Sequence, residues 1–192
     1  MMDEIEKKWD NIYREADAQP YEAVRVLAEN THLLPASGEA LEIACGMGGN
    51  ALMLARLGLD TTAWDISSVA IERLDSLARE QGLNLHCTAR DILAQPPEPE
   101  RYDVIIASYF LDRSLFPLIK NALRPQGLLF YQTFTRTRVH ESGPRNADFR
   151  LADNELLDLC SGMQIIVYRE EGRLGDIETG YRDEAMLVAM KN

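Results

Sequence analysis

The sequence is poor in cysteine, and its few metal-ligating side chains are scattered. It contains 3 cysteines, Cys45, Cys87 and Cys160, which lie far apart and form no C-x-x-C pair. His32 and His86 have no partner at the spacing of metal ligands. These absences argue against disulfides and against a metal site, and they favour a reducing, cytoplasmic location.

Long apolar runs and basic residues are also scarce. No stretch of about 18 apolar residues occurs, and the charged N-terminus lacks the apolar core of a signal peptide. We therefore expect a soluble protein without a membrane partner. With 20 basic and 31 acidic residues, the net charge of −11 repels a phosphate backbone, so nucleic acid is not an expected partner either.

What the chain does contain is an alternation of helical and strand patterns, with 46% hydrophobic residues. Helices are predicted over 5–16, 21–30, 50–57, 115–123 and 153–160, with a further helix that Ser67 caps and that includes 71–78. Strands are predicted over 40–45, 61–64, 83–89, 102–108, 127–134, 163–168 and 185–190. The alternation indicates a parallel sheet with helices on both faces, and the last two strands allow an antiparallel pair at one edge.

A glycine loop follows the first predicted strand. Gly46, Gly48 and Ala51 satisfy G-x-G-x-x-A, which lets a ligand approach the backbone closely. Asp65 stands about 20 positions later, where an acid binds ribose hydroxyls. The loop indicates an adenosine-containing cofactor without separating a nicotinamide dinucleotide from S-adenosylmethionine. A glycine cluster without a ligand is the alternative.

Three further features favour the methyl donor. Glu42 lies inside the first strand, where it can fix the loop and meet a cationic amino group. Asp91 and Ile92 follow the third strand, where a carboxylate can accept the adenine amino group. The chain has no Tyr-x-x-x-Lys and no spare domain for a hydride acceptor.

Residues 40–134 resemble the core of class I S-adenosylmethionine-dependent methyltransferases. The first motif of that family matches 42–48, its ribose-binding acid matches Asp65-Ile66, its adenine-binding pair matches Asp91-Ile92, and its fourth motif matches 103–110. Ala44 departs from the glycine that many members have. The residues expected to bind S-adenosylmethionine are Trp9, Tyr13, Glu42, Ala44, Cys45, Gly46, Gly48, Asn50, Asp65, Ile66, Asp91, Ile92 and Ser108.

The resemblance implies a fold and a division of the chain. The expected fold is α/β, a Rossmann-like three-layer sandwich with a seven-stranded, mostly parallel sheet in the order 3-2-1-4-5-7-6 and a reversed last strand. Residues 1–192 would form one domain, with a helical cap over 1–35, a cofactor-binding core over 39–134, and a substrate loop and hairpin over 135–192.

The segments 8–13 and 143–151 are similar to the small tellurite-resistance-type methyltransferases. This implies a small-molecule acceptor: a thiol, a selenium or tellurium compound, or another small anion. The missing Asn-Pro-Pro-Tyr motif argues against a flipped nucleic-acid base. The alternatives are a non-catalytic S-adenosylmethionine-binding module and a small nicotinamide-dependent oxidoreductase, and we expect a monomer or a homodimer.

Three residues are candidates for handling the acceptor. Tyr109 follows the fourth strand and either borders the reacting methyl group or closes the core. His140 and Arg145 belong to a basic loop that either contacts the acceptor or is solvated. Trp9 and Tyr13 lie one helical turn apart and either form a lid over the donor or dock the first helix.

Overall fold

The computed structural model describes residues 2–16 and 22–192, and within these ranges seven strands form one sheet. The strands are β1 (Glu39–Ile43), β2 (Asp60–Asp65), β3 (Leu85–Ala89), β4 (Tyr102–Ser108), β5 (Leu123–Phe134), β6 (Gln164–Arg169) and β7 (Glu184–Met190). Their order is β3-β2-β1-β4-β5-β7-β6, and β7 runs antiparallel to both of its neighbours. The other neighbouring pairs are parallel. The predicted fold is confirmed.

Helices cover both faces of this sheet. They are α1 (Met2–Glu15), α2 (Arg25–Ala28), α3 (Gly49–Arg56), α4 (Ser68–Glu80), α5 (Leu115–Ala122) and α6 (Glu155–Leu159), with 3₁₀ turns at Thr31–Leu33 and Ala147–Phe149. In β4, Ile105 packs with the core under α5 and α6, whereas Val104 and Ile106 pack with the core under α2 and α3. All three are fully buried, as expected for a sheet with two covered faces.

The predicted helix over 21–30 is only partly correct. The structure has a short α2 over Arg25–Ala28, and Tyr21 lies outside the described residues. Val24 is extended, with its N–H donated to Asn50 Oδ1 at 2.9 Å, and Val26 donates its N–H to Gln132 Oε1 at 2.8 Å. These distant side chains satisfy backbone donors at the start of the helix, so α2 begins later than its own pattern indicates.

Strand β5 begins earlier than predicted, at Leu123 instead of Gly127. Leu123 pairs with Tyr102, and the register then shifts before Val104. Gly127 lies in this irregular segment, where an added Cβ would stand 2.9 Å from the carbonyl oxygen of Arg124. In the described part of the chain, no helix combines the length and the apolar character needed to cross a membrane.

Candidate functional site

A cavity of about 380 Å³ lies between α1 and the carboxyl ends of β1 to β4. This is the edge at which open parallel sheets bind ligands, and the volume is in the usual range for a small-molecule site. Most of the residues predicted to bind the cofactor line it: Trp9, Tyr13, Ala44, Cys45, Gly46, Asp65, Ile66, Asp91, Ile92 and Ser108. The other three, Glu42, Gly48 and Asn50, lie behind its wall.

Gly46 is a tight point of the loop after β1. Its φ of +51° is left-handed, and an added Cβ would stand 2.6 Å from the Tyr13 hydroxyl oxygen. Its N–H donates to Asp65 Oδ2 at 2.8 Å, and the N–H of Ser67 donates to Asp65 Oδ1 at 2.9 Å. Burial raises the pKa of Asp65, and these two hydrogen bonds oppose the increase. Asp65 therefore joins the ends of β1 and β2 beneath the cavity.

Glu42 supports the loop from inside β1 without reaching the cavity. Its carboxylate accepts hydrogen bonds from Asn50 Nδ2 and from the Ala51 N–H, both at 2.7 Å. Contact with a cationic amino group, the second role predicted for Glu42, is not seen here, because both of its oxygens are turned to the start of α3. Burial raises the pKa of Glu42 to about 8.

Asn50 and Gly48 serve the packing of the same region. Asn50 Nδ2 lies 3.2 Å from Ser108 Oγ and thereby links α3 to the end of β4. Gly48 has a φ of +74°, and an added Cβ would stand 2.3 Å from Leu74 Cδ1 of α4. The second glycine of the loop is thus required by the neighbouring helix.

The wall formed after β2 and β3 is apolar, with one carboxylate at its rim. Trp64 and Ile92 are buried there, and the guanidinium carbon of Arg90 lies 4.0 Å from the centroid of the Trp64 ring. Asp91 Oδ1 accepts the N–H groups of Leu93 at 2.9 Å and of Ala94 at 3.3 Å. The turn after β3 is therefore fixed by Asp91, with Ile92 packed into the core.

Helix α1 closes the cavity on the remaining side and is anchored through its C-terminal half. Asp10 accepts a hydrogen bond from Ser67 Oγ at 2.6 Å at the N-terminus of α4, and this bond lowers the pKa of Asp10. The guanidinium of Arg73 donates to the carbonyls of Tyr13 at 2.6 Å and Ala16 at 3.1 Å, at the C-terminal end of α1.

A second, more open cavity of about 470 Å³ adjoins the first, and Tyr109 lines both. His140 lines the second cavity, whereas Arg145 is exposed and lines neither cavity. Of the three candidates for handling the acceptor, the structure brings Tyr109 and His140 to one cavity and leaves Arg145 outside it. Among the residues that the structure describes, no cluster of side chains suits a metal ion.

Comparison with known proteins identifies the family of this core. Residues 40–127 match the family model described as a methyltransferase domain. This region is a methyltransferase domain. It contains the glycine loop, Asp65 and the Asp91 turn, which are the features that line the first cavity.

Relatives of the methyltransferase domain have several activities in their names. The chain is 29% identical over 138 residues to a probable S-adenosyl-L-methionine-dependent methyltransferase, TehB of Haemophilus influenzae, covering 69% of this chain and 48% of the relative. It is 34% identical over 104 residues to a ubiquinone biosynthesis O-methyltransferase of Parvibaculum lavamentivorans, covering 50% of this chain and 40% of the relative. The chain thus spans about half the length, or less, of these two relatives.

Solved structures agree on the fold. The crystal structure of TehB from Haemophilus influenzae has a TM-score of 0.72 at 23% identity, covering 96% of this chain and 67% of that one. The geranyl diphosphate C-methyltransferase of Streptomyces coelicolor, solved with S-adenosyl-L-homocysteine, has a TM-score of 0.71 at 13% identity, covering all of this chain and 98% of that one. The family predicted from the sequence, with S-adenosylmethionine as its cofactor, is confirmed for the methyltransferase domain.

The first cavity of the methyltransferase domain suits this cofactor. Its apolar wall at Trp64, Ile66 and Ile92 matches a flat adenine ring, and Asp65 and Asp91 supply acceptors for hydroxyl and amino groups. The absence of a Cβ at Gly46 leaves the loop backbone open to close approach.

Sequence reasoning missed residues of both cavities. Ile5 and Ile12 line the first cavity and share the helical face of Trp9, so their spacing was an available signal. Gln132 is a polar residue in an apolar strand, and that contrast was a signal for the second cavity. No signal in the sequence pointed to Asp183 and Glu184, because only the pairing of β7 with β5 brings them to the second cavity.

Proposed function

We propose that this chain transfers a methyl group from S-adenosylmethionine to a small-molecule acceptor. The observation that carries the proposal is the first cavity, where four strand ends present a glycine loop, two carboxylates and an apolar wall beneath α1. Such a site favours a nucleoside-containing ligand over a macromolecule. Methyl transfer from a sulfonium depends mainly on alignment of the acceptor and exclusion of water, which an enclosed cavity provides.

Each part of the chain has a role in this proposal. Residues 39–134 bind the donor, residues 1–35 form a cap that includes α1, and residues 135–192 form the acceptor side, all within one domain. Asp65 binds the ribose, Asp91 with Ile92 binds the adenine, and Trp9 with Tyr13 shields the methionine end. Ubiquinone biosynthesis O-methyltransferases and TehB among the relatives support methyl transfer as the reaction type.

The test is calorimetric titration with S-adenosylhomocysteine and, separately, with a nicotinamide dinucleotide. We expect S-adenosylhomocysteine to bind the wild type and to bind Asp65→Ala at least about tenfold more weakly, because the mutation removes the ribose acceptor and loosens Gly46. The matched control is Asp60→Ala, at the opposite end of β2, where the carboxylate pairs with Asn84 and His86 on the surface.

Circular dichroism of each variant separates loss of binding from loss of folding. Binding of the nicotinamide dinucleotide in place of S-adenosylhomocysteine would contradict the proposal and support an oxidoreductase. Binding of S-adenosylhomocysteine without turnover of any acceptor would support a non-catalytic binding module instead.

A further inference from the structure

The second cavity lies at the carboxyl ends of β4 and β5, and Tyr109 lines both this cavity and the first. Tyr109 has a left-handed φ of +55°, which is uncommon for a residue with a side chain. Its ring packs on that of Phe134, with the ring centroids 5.0 Å apart, and its hydroxyl oxygen lies 3.0 Å from Gln132 Nε2. A group bound in the second cavity would thus contact Tyr109, which also lines the first cavity, here called the donor cavity.

His140 and Asp183 form an oriented pair in this cavity. The His140 Nδ1 atom lies 2.6 Å from Asp183 Oδ2, and the N–H groups of Val139 and His140 donate to Asp183 Oδ1. The Asp183 side chain is 6% exposed and that of His140 is 55% exposed. Burial alone would raise the pKa of Asp183, but the hydrogen bonds from Val139 and His140 hold it below its ordinary value.

In the neutral tautomer whose Nδ1–H donates to an ionised Asp183, the lone pair of the His140 ring lies on Nε2. Within the described residues, Nε2 of His140 has no hydrogen-bond partner. Because His140 lines the second cavity and its side chain is largely exposed, a ligand in this cavity can approach the imidazole ring. The arrangement is that of a base held in one tautomer by a buried carboxylate.

The carboxylate of Glu184 faces the same cavity and already has several donors. Gln132 Nε2 lies 2.7 Å from its Oε2, and the hydroxyls of Tyr181 and Tyr109 lie 3.2 Å and 3.4 Å away. Burial raises the pKa of Glu184, and the three hydrogen bonds oppose the increase. A negatively charged ligand would therefore meet a carboxylate at this wall.

The arginines of the cavity do not offset this charge. Arg25 Nη2 lies 2.7 Å from Glu29 Oε1, and the guanidinium carbon of Arg25 lies 4.9 Å from the centroid of the Tyr181 ring. Arg182 is 9% exposed and donates to the carbonyls of Gly172 at 2.9 Å and Asp176 at 2.7 Å. Both guanidinium groups are committed to partners within the protein, and the net charge of −11 further disfavours an anion.

We propose that the second cavity holds the methyl acceptor as a neutral hydroxyl compound of phenol size, and that His140 takes the hydroxyl proton. This inference rests on the proposed function. The hydroxyl proton passes to His140 Nε2, a lone pair of the hydroxyl oxygen forms the bond to the methyl carbon, and the donor sulfur keeps the electron pair of the broken C–S bond. Asp183, a positioning residue, stabilises the imidazolium that forms.

The first test is binding, followed by proton NMR of the three histidines in the complex with S-adenosylhomocysteine. We expect p-cresol to shift the imidazole resonance that His140→Gln removes, and to leave the resonances of His32 and His86 in place. The same-sized anion p-toluate, and tellurite, should shift none of them. An equal or larger His140 shift with either anion, or no shift with p-cresol, would overturn the inference.

The second test compares methyl transfer to p-cresol with transfer to the thiolate of 4-methylbenzenethiol. A thiolate needs no base, so His140→Gln should lower kcat with p-cresol about 100-fold or more while leaving thiolate transfer within about threefold. Asp183→Asn should show the same selectivity, to a smaller extent. The matched control is His86→Gln, which changes a surface histidine of β3 that is 63% exposed.

Equal losses with both acceptors would assign His140 a structural role and overturn the inference. So would an absence of transfer to p-cresol from an enzyme that binds S-adenosylhomocysteine. Failure to bind S-adenosylhomocysteine at all would instead contradict the proposed function, so the two failures are distinguishable.

Discussion

Single carboxylates determine much of the local structure of the donor cavity. Glu42, which is 1% exposed, holds the first turn of α3, and Asp65 holds the loop before it. Ala44 shows a different constraint, since its φ of +53° is the left-handed conformation that glycine adopts without strain. A glycine, which the family resemblance leads us to expect at this position, would adopt that backbone conformation without strain.

Glu42→Gln tests the burial of the Glu42 charge. Folding raises the pKa of Glu42 from 4.5 to about 8. Between these two pH values, Glu42 is therefore mostly protonated in the folded state and mostly ionised in the unfolded state. Between pH 4.5 and about pH 8, the free energy of unfolding of the wild type relative to that of the variant should fall by up to about 1.4 kcal/mol per pH unit. It should level off above pH 8. Urea unfolding at a series of pH values measures this difference, and a difference that does not vary with pH would contradict the assignment.

At the scale of elements, α1 is attached to the domain mainly through α4. Asp10 bonds to the start of α4, and Arg73 of α4 bonds to the end of α1. The inner face of α1 then presents a stacked pair, with the ring centroids of Trp9 and Tyr13 5.8 Å apart. An amphipathic helix of this kind gains its stability from the face that it buries.

Trp9→Ala tests whether this face contacts the donor. Trp9 lines the cavity and is 38% exposed, so a ligand has apolar surface to cover there. We expect the affinity for S-adenosylhomocysteine to fall about tenfold, which corresponds to about 1.4 kcal/mol. Lys7→Ala, on the exposed face of the same helix, is the matched control. Equal affinities of the two variants would show that α1 only docks on the domain.

At the scale of the whole molecule, the donor cavity joins elements that lie far apart in the sequence. It takes residues from α1, from the loops after β1, β2 and β3, and from the end of β4. A ligand that bridges them binds the folded state alone, and its binding energy therefore adds to the stability of the domain.

This linkage predicts a thermal shift. At a concentration 100 times its dissociation constant, S-adenosylhomocysteine should add about 2.7 kcal/mol of stability, which raises the Tm of a domain of this size by about 5–10 °C. Differential scanning calorimetry measures the shift. Asp65→Ala should show little shift at the same concentration, and an equal shift in that variant would indicate binding at another site.

The alternation of strands and helices, the glycine loop and the acids after β2 and β3 can all be predicted from the amino-acid sequence. These features are local, since each depends on the hydrophobic period or turn chemistry of one short segment. Other features depend on contacts between distant segments of the folded chain. These contacts shorten α2 by binding its first N–H groups to Asn50 and Gln132, and they turn both oxygens of Glu42 inward.

The second cavity depends on tertiary structure most of all. Strand β7 enters the sheet between β5 and β6 in the reverse direction, so its first residues reach the same edge as the ends of β4 and β5. This brings Asp183 to His140, and Glu184 to Tyr109 and Gln132. No local pattern encodes contacts between residues that are more than 40 positions apart along the chain.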